Sequence, residues 1–207
     1  MNEGQENLTP TIKELRHQLL KDSIPSLLEG KTILYVGAKV KKRWPKGLEF
    51  LDIFYEAGFT IDVLEIFQQN VIALRRMNKE GRKFINRPIP PGMFRRIYLG
   101  SVVDVDEKIK DKTYDVVMFN HGPEHLRSHE VIPTLAKLEK ITDGVLIIGC
   151  PWGIYRQGSV HGNDHETHLS YLYPEMFIKL GFEVRTMGEK DVKKSHILAW
   201  KQKEKSK

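Results

Sequence analysis

Between Phe119 and Leu126 the chain reads Asn120-His121-Gly122-Pro123-Glu124-His125, so two imidazoles and a carboxylate fall within five residues. As a bare pattern this satisfies H-x-x-E-H, the inverted zinc-protease signature. That chemistry needs both histidines on one face of a helix, with the glutamate held between metal and water. Gly122-Pro123 between the histidines, and the apolar run Tyr114–Phe119 directly before them, set the pattern on a turn and argue against a protease. Three more histidines, His161, His165 and His168, follow in a polar, glycine-rich segment. An imidazole titrates near neutral pH, which makes His121 the first candidate for a general base and His168 the second. Glu124 is better suited to orienting His125 than to taking a proton itself. Cys150 is the single cysteine, so no disulfide can form within the chain, in keeping with a reducing, cytoplasmic compartment.

These groups need a scaffold, and 207 residues suffice for one domain with a sizeable core. The hydrophobic share of 40% and charged share of 29% are those of an ordinary globular protein. No apolar run approaches the length of a membrane span, the start MNEGQENLTP lacks a signal-peptide pattern, and no membrane partner is expected. A net charge of +6 is compatible with an anionic partner, nucleic acid included, without indicating one.

The periodicity divides the chain into a leader and helix (1–29), an α/β domain (30–201) and a basic tail (202–207). Thr11-Ile12-Lys13-Glu14 fits a capping box for a helix with Ile12, Leu15 and Leu19 at helical spacing. The apolar runs Ile33–Val36 and Val145–Ile148 read as buried strands of a parallel sheet, and Thr60–Glu65, Arg96–Leu99 and Tyr114–Phe119 as further strands of it. Helical patterns lie between them: one opened by Pro45 and carrying Leu48, Leu51 and Phe54, one over Gln68–Lys79, and one from Glu124 to Ile141 that Pro133 is expected to break. Cys150–His168 reads as a long loop over a site. Pro174–Leu180 is a helix, and Phe182–Met187 and His196–Lys201 form a closing hairpin. Alternating strands and helices give an open, mostly parallel sheet with helices on both faces, and the hairpin makes the last strand antiparallel. In such sheets ligands bind beyond the carboxyl ends of the strands. Those ends carry Gly37, Glu65, Gly100-Ser101, Asn120-His121 and Cys150-Pro151.

This order resembles the class I, Rossmann-like S-adenosylmethionine-dependent methyltransferases over roughly residues 30–200. The most specific match is Tyr114-Asp115-Val116-Val117-Met118-Phe119 followed by the turn ending Glu124-His125-Leu126. It is similar to the fourth-strand motif of that family, where the turn flanks the methionine half of the cofactor and faces the acceptor. His168-Leu169-Ser170, Pro174-Glu175-Met176-Phe177 and Leu180-Gly181-Phe182-Glu183-Val184 look like the corresponding end of the domain. The resemblance implies that Glu65 accepts the ribose hydroxyls of S-adenosylmethionine, with Gly37, Ser101, Val102 and Asn120 lining the cofactor. Val102 is placed to contact the adenine where the family often has an aspartate at the position of Ser101.

The first strand departs from the family. Its glycine-rich turn is replaced by Gly37-Ala38-Lys39-Val40-Lys41-Lys42-Arg43, with Lys46 close behind. Lys39 is expected to meet the cofactor carboxylate, and the other cations to stand at the rim where an anionic acceptor could dock; a solvated loop is the alternative. Some relatives, the small-RNA and ubiquinone-pathway O-methyltransferases, hold a divalent cation through an acidic residue, Glu at +3 and His at +4, and the RNA enzymes add a later histidine. His121, Glu124 and His125 have that spacing, with His161, His165 and His168 as downstream candidates, of which His168 is preferred. A histidine in first place favours a softer ion such as zinc over magnesium. The same histidines could instead shape a pocket, or His125 could cap the following helix. The expected activity is methyl transfer to an O or N atom of a small molecule or RNA. The alternatives are a non-enzymatic binding module on this fold and a nucleotide-dependent oxidoreductase, the latter weakened by the absence of G-x-G-x-x-G after the first strand.

Overall fold

A computed structural model describes residues 12–38, 50–81, 90–110, 112–160, 162–192 and 194–203. Seven strands, β1 (Thr32–Val36), β2 (Thr60–Glu65), β3 (Phe94–Leu99), β4 (Tyr114–Asn120), β5 (Thr142–Cys150), β6 (Glu183–Met187) and β7 (His196–Gln202), form one sheet in the order β3-β2-β1-β4-β5-β7-β6. The pairs among β1 to β5 are parallel, and β7 runs antiparallel to both β5 and β6. The order reverses between β1 and β4, the place where an open α/β sheet leaves a crevice for ligand.

Alternating side chains divide the core into two layers, which is why the central strands read as continuous apolar runs. Ile33, Tyr35, Ile61, Val63, Val116, Met118, Leu198 and Trp200 enter one layer; Leu34, Val36, Leu64, Val117, Phe119, Ile148, Ile197 and Ala199 enter the other. Helices α1 (Ile12–Ser23), α2 (Leu51–Glu56) and α3 (Gln68–Glu80) contribute Leu20, Phe54, Leu74 and Met77 to the first layer. Helices α4 (Val105–Lys108), α5 (Ser128–Lys140) and α6 (Pro174–Lys179) contribute Val105, Leu135, Leu138 and Phe177 to the second.

Several local expectations are corrected. In α1 Leu19 packs against the core as expected and Leu20 is fully buried, with Ile24 and Leu27 buried beyond the helix, whereas Leu15 is exposed. Thr11 of the expected capping box lies outside the described residues, as do Pro45 and Leu48 of the expected helix whose described part, with Leu51 and Phe54, is α2. The stretch from Glu124 is a 3-10 turn over Pro123–His125 followed by α5 from Ser128. Pro133 does not break α5. It denies a donor to the carbonyl of His129, an exposed residue in the first turn, where water can take the donor's place.

Candidate functional site

The site lies along the carboxyl edge. There the parallel ladder continues one residue past three strands: Gly37 N donates to Leu64 O (2.9 Å), Gly100 N to Glu65 O (3.0 Å) and His121 N to Gly149 O (2.7 Å). Gly37 has φ 82, in the left-handed region, and a Cβ built on it meets no described atom within 4 Å. Glu65 is buried at the end of β2, where its Oε1 accepts from Phe67 N at 2.7 Å. Burial dominates over this bond and a second one from Asn70, and pushes the carboxyl up to about 7. Ser101 Oγ accepts from Val103 N (3.2 Å), which holds the buried Val102 in a 3-10 turn just past β3. Asn120 is buried at the end of β4, and only a glycine at position 149 leaves room for its carboxamide. Gly37, Glu65, Ser101, Val102 and Asn120 thus all sit at one edge of the sheet. Lys39 and the cations Lys41, Lys42, Arg43 and Lys46 lie outside the described residues, as does His161.

The turn after β4 is built so that its three functional side chains come close together. His121 takes a positive φ of 52, and Gly122 follows because a Cβ there would fall on the ring of Phe119. Glu124 is buried, and its backbone oxygen accepts from both Leu169 N (2.8 Å) and Ser170 N (3.1 Å). Ser170 Oγ adds a bond to Pro123 O (3.1 Å). These three bonds fasten the loop after β5 onto the turn after β4 and bring His168 beside His125, with ring centroids 5.0 Å apart.

One carboxylate oxygen of Glu124 and one nitrogen each of His125 and His168 lie within 4.8 Å of one another, spacing that could hold a metal ion. The hydrogen bonds assign the tautomers. His125 Nδ1 faces Thr167 O at 3.1 Å and His168 Nδ1 faces Tyr155 O at 2.5 Å; a carbonyl only accepts, so each Nδ1 carries the proton. Nε2 of each ring is left with its lone pair. Burial, partly offset by the Tyr155 carbonyl and the Glu124 charge, holds His168 below the ordinary histidine range and so neutral. Burial pushes the Glu124 carboxyl up, but the donor on His121 and the neighbouring imidazoles outweigh it and leave the group below the usual carboxylate range. Its Oε2 is buried and has no hydrogen-bond partner among the described residues.

His121 stands beside this group rather than in it. Its Nδ1 is 3.4 Å from Glu124 Oε1 and its Nε2 is 2.7 Å from Nη1 of Arg16 on α1. His165 is exposed in the turn Asp164–Glu166 and also stands apart. Sequence reasoning missed three neighbours. Arg16 is one turn ahead of the buried Leu20 and so shares its inward face. His196 opens β7, whose antiparallel course returns it to the carboxyl edge, 5.4 Å from the His121 ring between centroids. Tyr155, its ring 5.2 Å from that of His168, supplies the carbonyl that fixes that imidazole.

No protein-family model and no curated protein matches the chain. Solved structures do. A SAM-dependent methyltransferase from Archaeoglobus fulgidus is 18% identical with a TM-score of 0.54, covering 91% of this chain and 94% of that one. Magnesium protoporphyrin IX methyltransferase from Synechocystis, with bound S-adenosylhomocysteine, is 14% identical with a TM-score of 0.58, covering 98% and 90%. The CcbJ methyltransferase of Streptomyces caelestis is 13% identical with a TM-score of 0.60, covering 95% and 94%. The chain has the class I S-adenosylmethionine-dependent methyltransferase fold, a seven-stranded, mostly parallel sheet with one antiparallel strand. No helix among the described residues is long and apolar enough to cross a membrane.

Proposed function

We propose that the protein is an S-adenosylmethionine-dependent methyltransferase acting on an O or N atom of a small molecule or RNA. The observation that carries this reading is the buried carboxylate of Glu65 at the end of β2, beside the crevice that the strand order creates. A carboxylate there can accept both hydroxyls of a ribose. Gly37, Ser101, Val102 and Asn120 line the rest of the cofactor. Transfer from a sulfonium is an in-line displacement, so the protein's work is to position the two reactants and exclude water.

The residues Glu124, His125 and His168 fit a divalent cation. Both imidazoles have Nδ1–H fixed by a backbone carbonyl, the outer arrangement usual for a ligating histidine, and Glu124 Oε2 is a buried acceptor without a donor. A mixed nitrogen and oxygen donor set suits zinc better than magnesium. A bound cation would lower the pKa of an acceptor hydroxyl. His121, engaged on both sides by Arg16 and Glu124, holds the carboxylate; His168 Nε2 is the alternative proton acceptor if the acceptor group needs none of the cation's help. The single, buried Cys150 supports a cytoplasmic location.

The test is transfer of a radiolabelled methyl group from S-adenosylmethionine into fractionated small-molecule and RNA pools, with Glu65→Ala as control. Label that depends on Glu65 supports the enzyme. Cofactor binding without transfer to any pool would support the binding-module reading instead.

A further inference from the structure

Helix α1 reaches the cluster through a relay of two contacts, a hydrogen bond from Arg16 to His121 and an ion-pair contact from His121 to Glu124. Arg16 Nη1 lies 2.7 Å from His121 Nε2, across 105 positions of sequence. A guanidinium can only donate, so Nε2 must accept, and the His121 proton then resides on Nδ1. Nδ1 faces Glu124 Oε1 at 3.4 Å. The imidazole therefore passes the donor character of Arg16 on to one specific oxygen of Glu124. With Oε1 so occupied, Oε2 is the oxygen left free for another partner, and it is the buried one with no donor among the described residues.

The His121 backbone is in the left-handed region with φ 52, which fixes where the ring leaves the chain. The ring of His196 lies 5.4 Å away; it is buried, and burial together with Arg16 and His121 keeps it neutral. Among the described residues, charged or titratable groups facing the His121 ring include Arg16 from α1, His196 from β7 and Glu124 from its own turn. Leu20, fully buried one turn after Arg16, anchors α1 against the sheet and sets the guanidinium in place.

We propose that Arg16 is a positioning residue of the Glu124–His125–His168 site: it fixes the tautomer of His121, and His121 in turn holds Glu124 in the orientation that presents Oε2 to a bound cation. This rests on the cation reading given above. Helix α1 is then part of the functional machinery rather than a leader before the domain. Removing an outer partner of a metal ligand commonly lowers metal affinity 10–100-fold.

The experiment titrates tag-free protein with Co²⁺ alone, following its visible absorption, in wild type and in Arg16→Gln, His121→Asn, Arg16→Gln/His121→Asn and Glu124→Gln. Asparagine tolerates the left-handed backbone at position 121 and leaves α1 untouched, so it tests the relay even if Arg16→Gln undocks the helix. The expected result is a loss of at least about 10-fold in Co²⁺ affinity, with an altered spectrum, in each single relay variant, and no further loss in the double variant. Unchanged Co²⁺ affinity in both relay variants, alongside abolished binding in Glu124→Gln, would overturn the positioning role and leave the cation site standing. Absence of Co²⁺ binding by wild type would overturn the cation reading, and the relay with it.

Discussion

The backbone oxygen of Glu124 accepts hydrogen bonds from Leu169 N at 2.8 Å and Ser170 N at 3.1 Å, so the turn after β4 and the loop after β5 are held as one unit. Everything about the histidine cluster depends on that join. It joins residues 45 positions apart, Glu124 and Leu169, and it places a loop side chain, His168, beside His125.

The side-chain part of the join can be removed alone. Ser170 is buried, and its hydroxyl donates to Pro123 O at 3.1 Å. Ser170→Ala should cost about 1 kcal/mol, leaving the Pro123 carbonyl without that donor. Thermal unfolding should report a fall of roughly 2–4 °C. A midpoint identical to wild type would show that the hydroxyl bond adds nothing to the join.

A second network stabilises the opposite end of the sheet. Asp62 is completely buried and accepts from Arg95 Nε (2.9 Å), Arg95 Nη2 (2.7 Å) and the Tyr114 hydroxyl (2.8 Å). The bidentate Asp62 contact raises the Arg95 guanidinium further, and burial, then Asp62, raises the Tyr114 phenol. Asp62→Ala would strand the Tyr114 hydroxyl, although Arg95, about two-fifths exposed, can turn to water. The loss should therefore be near the low end for a broken buried pair, about 3 kcal/mol. Chemical denaturation of Asp62→Ala and Tyr114→Phe checks this, the second variant losing far less.

The central strands β1, β2 and β4 were legible because they are buried on both faces, and the closing hairpin because the connection from β6 to β7 is too short for a crossover. Glu65 was legible as an acidic residue ending such a run. The turn His121–His125 was legible as chemistry, but not its division of labour: whether His121 is a ligand or a holder of Glu124 depends on Arg16, which is 105 positions away and carries no local signal. The continuity of α5 through Pro133 was misread, since the penalty for a proline depends on whether the carbonyl it deprives can find water. Asp62, inside an apolar run, could not be matched to Arg95 and Tyr114 without the strand register.

Glu65 gives the site a pH dependence with a definite sign. Its carboxyl is raised from 4.5 to about 7 by burial, so the folded protein holds a proton that the unfolded chain releases earlier. That contribution to stability is full below pH 4.5 and is lost as pH rises from there through 7, amounting to at most about 3 kcal/mol. Binding runs the other way. A ribose diol needs the ionised carboxylate, so affinity for S-adenosylhomocysteine should rise between pH 6 and 8, and Glu65→Gln should flatten the profile. An equally steep profile in Glu65→Gln would assign the dependence to another group.

The central claim is that this edge of the sheet binds S-adenosylmethionine through Glu65. Calorimetric titration of the full chain with S-adenosylmethionine and S-adenosylhomocysteine, in wild type and Glu65→Ala, measures it directly. The account predicts saturable, one-site binding by wild type and a loss of roughly ten-fold or more in Glu65→Ala, the cost of about 1.5–3 kcal/mol for a charge-assisted hydrogen-bond pair. Equal affinity in the two proteins, or no binding by wild type to either compound, would contradict it.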